Sequence, residues 1–396
     1  MQVPILNGIA TDDAADYNAI FPLNMVPVPK VQGISQGYLR PAEGIVGTSA
    51  GPGACRGARV WKDELYRVMG SELVKVDAVG NVESIGIIGG SGDVTMVHSF
   101  DYLAVCTSGQ VWLYNGRNLK MITDEDLGEA LDIAWIDGYF MTTDGEFLVV
   151  TDLKDPFAVN PLRYGSSEAD PDPIKGILRH RNEVYALNRY TIEVFDNVGG
   201  SGFPFARIEG AQIQRGCAAT HAKTLYLQGI AFVGGARDEA LAVWMGIDGQ
   251  TSKLSTRDID KKLAKLTPVQ LASVHLSARM VDGHDFLYIR LPDETIVYDH
   301  SASRALEQPV WHRLTSGEKG YRGAHIVNCY GKWNVADTLS GAIGVFSDKV
   351  STHWGDKTTW EFGTPIAYNE GSGAIVHEMT LFVLNGTAKD GAVVLT

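Results

Sequence analysis

The sequence predicts an all-β fold. Within that class it predicts a β-propeller of six or seven blades, with an N-terminal extended arm and a C-terminal β segment. Three observations carry this. Residues 57–92 read as four short strands in one meander: the apolar runs RVW, LYRVM, LVKV and VESIGII are separated by Lys62-Asp63, Gly70-Ser71 and Gly80-Asn81, turns of hairpin type. Similar units recur, with starts near 59, 94, 131, 174, 224, 277 and 323, at intervals of about 35 to 53 residues that match or approach propeller periods. Glycine is frequent, 44 of 396 residues with no collagen-type period, as many tight turns require.

Residues 1–43 form the expected arm. Pro22, Pro27 and Pro29 in PLNMVPVPK argue against helix and central strand. Ile20, Phe21, Leu23, Met25 and Val26 are too apolar to leave in water, so the arm is expected to pack on another surface. The propeller is assigned to residues 44–350. Its second unit, 94–123, has turns around Asp101, Ser108-Gly109 and Gly116-Arg117-Asn118. The third, 131–153, gives three runs around the D-G turns Asp137-Gly138 and Asp144-Gly145, followed by a polar, Pro-rich excursion over 155–173.

A fourth unit spans 174–208. A fifth spans 224–254, with LYLQGIAFVG as one run and turns at Gly234-Gly235 and Asp248-Gly249. A sixth spans 277–314. Residues 321–346 supply either a seventh blade or strands that close the ring. A short amphipathic helix is expected over 256–266: Ser255 stands three residues before Asp258 as in a capping box, Ile259, Leu263 and Leu266 follow at helical intervals, and Pro268 ends it. Its polar face is basic, with Lys261, Lys262 and Lys265. Residues 351–396 read as the start of a separate β element. They stop inside the strand-like run AVVLT, so either that strand is a terminal edge or a C-terminal portion is absent.

The net charge is −13. Non-specific nucleic-acid binding draws on an excess of Lys and Arg, so a protein that grips DNA is disfavoured, while a local basic patch remains open. Cys55, Cys106, Cys217 and Cys329 form no C-x-x-C pair. They read as small buried hydrophobes in a reducing compartment, with long-range disulfides as the alternative. The N-terminus has no basic region before an apolar one, hence no signal peptide, and no apolar run approaches the roughly 20 residues of a membrane span. Synthesis in a cytoplasm is the default, and no membrane insertion is expected.

Motifs for chemistry are weak. Asp282 and His284 share a strand face and could offer two metal ligands, but they flank Gly283 in a turn, where Asp is common for local reasons. G-x-S-x-G occurs around Ser35 and Ser49, yet Pro41 and Pro52 follow and no helix opens behind either. The two GGSG stretches, 89–92 and 199–202, lack a following G-K-[ST] and read as blade connections. Asp124 with Asp126 cannot be identified as an acid/base pair from sequence, because the separation that matters is three-dimensional. Arg179-His180-Arg181, with Arg189 nearby, suits an acidic partner or nucleic acid, but a charged solvated strand edge explains it more simply. No catalytic, cofactor-binding or metal-ligating residue is assigned, and no enzymatic activity is expected.

In order along the chain, Tyr17, Pro22-Leu23-Asn24-Met25, Pro29-Lys30, Gly37-Tyr38-Leu39-Arg40, Gly44-Ile45, Arg56-Gly57, Leu65-Tyr66-Arg67-Val68 and Val94-Thr95-Met96-Val97-His98 resemble the tail hub, or packaged DNA stabilisation, proteins of short-tailed phages. The likeness continues through Thr151-Asp152-Leu153, Thr191-Ile192-Glu193 and the helix segment. It is clearest at Asp282-x-His284, Leu291-Pro292, Val297-Tyr298-Asp299, Trp311 and Tyr321-Arg322-Gly323. The resemblance implies a structural virion protein of the phage tail. It implies self-association in a ring, as a hexamer, below the portal–adaptor. The ring would continue the DNA exit channel, pass DNA without sequence-specific binding, support a tailspike or tail fibre, and meet a tail needle or plug. Net acidity suits a wall along which DNA slides. The rival reading is a propeller glycoside hydrolase or glycan-binding module. It would need a carboxylate pair at the propeller mouth or an exposed aromatic shelf, for which Trp61, Trp112, Trp135, Trp244, Trp311 and Trp333 are the candidates.

Overall fold

Two-residue turns set the blades. At Lys62-Asp63, Ser108-Gly109, Asp137-Gly138, Asp248-Gly249, Asp282-Gly283 and Tyr330-Gly331 both central residues have φ between 46° and 91°. That is the type I′ geometry, whose twist matches the strands it joins. The computed structural model describes residues 8–11, 17–30, 37–168, 170–317 and 319–363. In it these turns help build seven antiparallel sheets, the blades of a β-propeller.

Blade 1 comprises Cys55–Trp61, Glu64–Met69, Glu72–Val76 and Val82–Ile87, each strand paired to the next. Blade 2 runs from Thr95–His98 to Leu119–Met121, blade 3 from Asp132–Ile136 to Val159–Ser166, and blade 4 from Ile174–His180 to Phe205–Arg207. Blade 5 begins with Gly216–Cys217 and Lys223–Tyr226, which both pair with Gly229–Gly235, and ends at Gln250–Lys253. Blade 6 runs from His275–Val281 to Trp311–Ser316 and gains Lys319–Gly320.

Blade 7 is made from both ends of the propeller. Gly323–Cys329, Lys332–Asp337 and Ala342–Ser347 are completed by Gly44–Ala50, with Ala342 opposite Ala50 and Ser347 opposite Gly44. This closing strand ties the ring shut. Residues 321–346 are therefore a seventh blade, and it is also the blade that closes the ring.

The apolar core lies in the seams between blades. Trp61, Tyr66, Val68 and Leu73 meet Met96, Leu103 and Val105 between blades 1 and 2. Ala134, Met141 and Val150 meet Ile177, Val184 and Ala186 between blades 3 and 4. Second strands such as Leu103–Thr107 and Tyr139–Thr143 are buried throughout, as expected where both sheet faces are covered.

Several expectations need correction. The excursion over 155–173 contains the fourth strand of blade 3, Val159–Ser166; Pro161 is tolerated because this is an outer edge, and the register shifts between Val149 and Thr151. LYLQGIAFVG is two strands, split after Tyr226. Gly234-Gly235 is not a turn but the end of a strand. A Cβ on Gly234 would lie 1.8 Å from the Gly216 oxygen, so close strand approach explains that glycine.

The expected helix over 256–266 is α1, Arg257–Ala264. Its N-cap is Thr256, while the Ser255 hydroxyl donates to Asp260 Oδ1 at 2.6 Å and accepts from the Val243 amide at 3.0 Å, so the capping-box reading fails. Pro268 does not end the helical region but starts α2, Pro268–Ala272, where Thr267 and Gln270 form a true capping box. A helix with no counterpart in the sequence reading, α3 (His300–Leu306), is capped by Asp299.

The arm lies on its own subunit. Gly8–Thr11 pairs with Tyr17–Ile20, and Met25–Pro29 with Gly37–Pro41. Phe21, Asn24 and Val26 are buried. The Asn24 amide donates to the Arg313 oxygen at 2.7 Å, and the Arg313 amide to the Pro22 oxygen at 2.8 Å, so the arm runs along the fourth strand of blade 6. On its other side Leu23 exchanges hydrogen bonds with Glu361, at 2.7 and 3.2 Å. The stretch after 350 is continuous with blade 7: Thr352–His353 pairs with Asp356–Lys357, and His353 lies opposite Ile45. The run AVVLT and the rest of 364–396 lie outside the described residues.

Candidate functional site: the axial tunnel and its charged floor

The innermost strands of the blades start around one end of the propeller axis, and charged residues sit at those starts. Asp132 opens the inner strand of blade 3. It accepts from Thr95 Oγ1 of blade 2 at 2.6 Å, the Ile177 amide of blade 4 at 2.9 Å and Lys223 Nζ of blade 5 at 2.6 Å. Both partners of the Asp132–Lys223 pair are almost fully buried. Gly176 makes room: a Cβ there would stand 2.5 Å from Lys223 Nζ and 2.7 Å from Asp132 Oδ2.

Asp93, just before the inner strand of blade 2, reaches the far side. Its carboxylate meets the Arg290 guanidinium and His275 Nδ1 (3.0 Å) of blade 6, and His325 Nε2 (3.4 Å) of blade 7. His221 stacks on His275 with ring centroids 5.6 Å apart. These ties join non-neighbouring blades and so cross the space near the axis, forming a floor.

The electrostatics of the floor are fixed by burial and pairing. Burial alone would raise the Asp93 pKa, but the imidazoles of His275 and His325 against its carboxylate hold it well below the ordinary range. Burial pushes His221 and His275 down to about 4, so both rings are neutral at pH 7, and it lowers His325 in the same direction. Asp93, His275 and His325 bring three donor atoms within 4.8 Å of one another. The Arg290 guanidinium already supplies positive charge to that carboxylate, as in a buried ion-pair network.

Beyond the floor lies a tunnel of about 720 Å³. Arg59, His98, Trp135, Arg179 and Arg181 are among its lining residues, and no Asp or Glu lines it among the described residues. Arg179 donates to the Arg181 oxygen at 3.1 Å and lies 5.3 Å over the Trp135 ring. Arg181 faces Asp248 at 3.4 Å, and Phe100 stands exposed with its ring edge-on to Trp135. The local basic patch left open by the composition is thus inside the propeller. The strand edge carrying Arg179 faces the tunnel, not open solvent. Arg189 stacks on Tyr190 and is not among the lining residues.

The other sequence candidates disperse. Asp282 lies 3.7 Å from Arg40, whereas His284 is buried with Nδ1 2.5 Å from Asp299 Oδ2; the two are not brought together. Ser49 lies in the closing strand with no helix behind it, and Ser35 lies outside the described residues. The GGSG stretch at 89–92 turns carbonyls inward: Arg56 donates to Gly89 and Gly92 oxygens at 2.7 and 2.6 Å, the reverse of a phosphate cradle. The second GGSG lies within blade 4, between its third and fourth strands, and does not connect blades. Asp124 caps a 3-10 turn and accepts from the Asp126 and Val159 amides. Trp61, Trp244 and Trp311 are buried, and Trp112, Trp135 and Trp333 half-buried, so no flat aromatic shelf forms from them. All four cysteines are buried and free.

Comparison with known proteins agrees with the architecture. Residues 1–351 match the model of a family described as the bacteriophage P22 Gp10 β-propeller. The chain is 29% identical to the tail hub protein gp10 of Salmonella phage P22 over 390 residues, covering 92% of this chain and 80% of that one. Among solved structures, the Neurospora crassa Pan2 WD40 domain is similar with a TM-score of 0.48 and 10% identity, covering 79% of this chain and 97% of that one. The extracellular domain of a putative two-component system from B. thetaiotaomicron reaches a TM-score of 0.49 at 10% identity, covering 76% of this chain and 39% of that one. Likeness at that level carries no functional argument.

Proposed function

This chain belongs to the family of the bacteriophage P22 Gp10 β-propeller, and from that premise we propose how it works as a structural tail-hub protein of the virion. It associates with other components of the phage tail. The finer reading is a hexameric ring docked below the portal–adaptor, which extends and seals the DNA exit channel. The ring supports a tailspike or tail fibre and meets a needle or plug. It assembles in the host cytoplasm and has no catalytic activity. Residues 1–43 act as an arm, 44–350 as the propeller and 351–396 as a C-terminal β segment.

The observation that supports this most is the family match over residues 1–351 together with the ordered likeness to a tail hub protein. A net charge of −13 adds to it, because an acidic wall does not hold the phosphate backbone. The axial tunnel of one propeller, about 720 Å³, is too small for a DNA duplex, so the DNA channel in this reading lies between subunits. The test uses DNA-filled heads that carry portal and adaptor but no hub. Adding the purified protein is expected to stop DNA leakage; unchanged leakage with full occupancy of the heads would defeat the sealing role. No observation favours glycan hydrolysis or glycan binding.

A further inference from the structure

We propose that the axial tunnel is a binding site for a phosphate-bearing small molecule of nucleotide size. This goes beyond the tail-hub reading and does not depend on it. The tunnel volume, about 720 Å³, lies within the usual span of small-molecule sites. The floor ties of Asp132 to Lys223 and of Asp93 to Arg290 cross near the axis, so a ligand enters from the opposite mouth, where Phe100, Arg181 and Leu225 stand.

Charge points to an anion. The chain carries 47 acidic against 34 basic residues, yet the lining has Arg59, Arg179, Arg181 and Lys223 with no acid among the described residues. Lys223 and Arg181 have acids behind the wall, Asp132 and Asp248. Arg59 has none: it makes no hydrogen bond or ion pair among the described residues, and its side chain is exposed where it lines the tunnel. Partial desolvation by the neighbouring strands lowers its pKa, with no carboxylate to offset the effect. A solvent-reached guanidinium with no carboxylate beside it leaves its donors open to an anion.

Shape and chemistry favour phosphate. A guanidinium fork donates two parallel hydrogen bonds and suits phosphate oxygens. Arg179 is held in place by the Trp135 ring and the Arg181 oxygen, so little ordering is needed when an anion arrives. Val97, Ile133 and Leu178 add apolar wall beside the cations, which suits a ligand with both a ring and a charged tail.

The test is calorimetric titration of the full chain with pyrophosphate, ATP, citrate and hexaglutamate at about 0.1 M salt, where screening leaves short-range contacts intact. Pyrophosphate and ATP are expected to bind at one site. Arg59→Gln and Arg179→Gln should each weaken both by about tenfold or more, the usual effect of losing a charged hydrogen bond. Arg59→Lys should fall between wild type and Arg59→Gln. Arg117→Gln, on an exposed turn, should change nothing. Melting temperature identifies any variant that fails to fold, and the remaining tunnel variant then decides. No binding of either phosphate compound at millimolar concentration would overturn the proposal. So would unchanged binding in the folded tunnel variants, citrate as tight as pyrophosphate, or hexaglutamate binding alone, which would make the tunnel a socket for an acidic peptide.

Discussion

Glu43 grips Arg279 with two hydrogen bonds, at 2.5 and 3.0 Å, and the arginine side chain is 1% exposed. The pair joins the segment before the closing strand to the inner strand of blade 6, and Arg279 also lies 4.3 Å over the Phe346 ring. Glu43→Gln leaves that guanidinium buried without its charge partner, which is expected to cost about 3–5 kcal/mol in urea unfolding. A second residue-scale prediction concerns acid. His221, His275, His312 and His353 have an ordinary pKa of 6.5 and are pushed to about 4 by burial. The unfolded chain therefore binds protons first as pH falls. Stability should be full above about 6.5 and drain away between about 6.5 and 4. Around His275 the facing groups are Asp93, Arg290, His221 and His325, and His275→Gln should flatten part of this slope in a pH series of urea midpoints. None of this was legible in sequence. Asp93, His275 and His325 belong to no spaced motif, and only ring closure brings positions 93, 275 and 325 together.

Turn chemistry made most strands readable at the scale of elements. Asp137-Gly138 and Asp248-Gly249 impose type I′ turns, and apolar runs flank them. Where structure departs from sequence pattern, the cause is physical. Val159–Ser166 is an outer edge strand, so it carries Asn160, Pro161 and Arg163 in place of a clear apolar alternation. Helix α3 is short and polar, and its cap, Asp299, also ends a buried strand. The apolar residues of the segment around Phe21 signal a need for cover, but nothing in the sequence says where it docks. Phe21 belongs to the core of blades 4 to 6, so Phe21→Ala is expected to cost about 3–5 kcal/mol, measured by chemical denaturation. A cost near zero would mean that the arm is a loose attachment.

At the scale of the whole molecule, the chain closes on itself through Gly44–Ala50 and Ala342–Ser347. Periodicity alone showed repeats but left six or seven blades open, because the last blade takes its fourth strand from the other end of the sequence. Ile45 in that strand is fully buried, so Ile45→Asp should open the ring and lower the thermal midpoint in one cooperative step. Assembly adds a charge argument. Each chain carries −13, and in the proposed hexamer like charge would oppose spontaneous ring closure, within a Debye length of about 8–10 Å. In the proposed assembly an adaptor ring would supply pre-arranged sites, so that local concentration replaces intrinsic affinity between subunits. The most direct measurement is therefore sedimentation of the purified protein across a salt series, alone and with portal–adaptor complexes. Monomers alone at moderate salt and a six-membered ring on the complex are expected. A protein that fails to co-sediment with portal–adaptor complexes at any salt would contradict its role as a tail hub; stable hexamers at low salt without the adaptor would contradict the assembly mechanism.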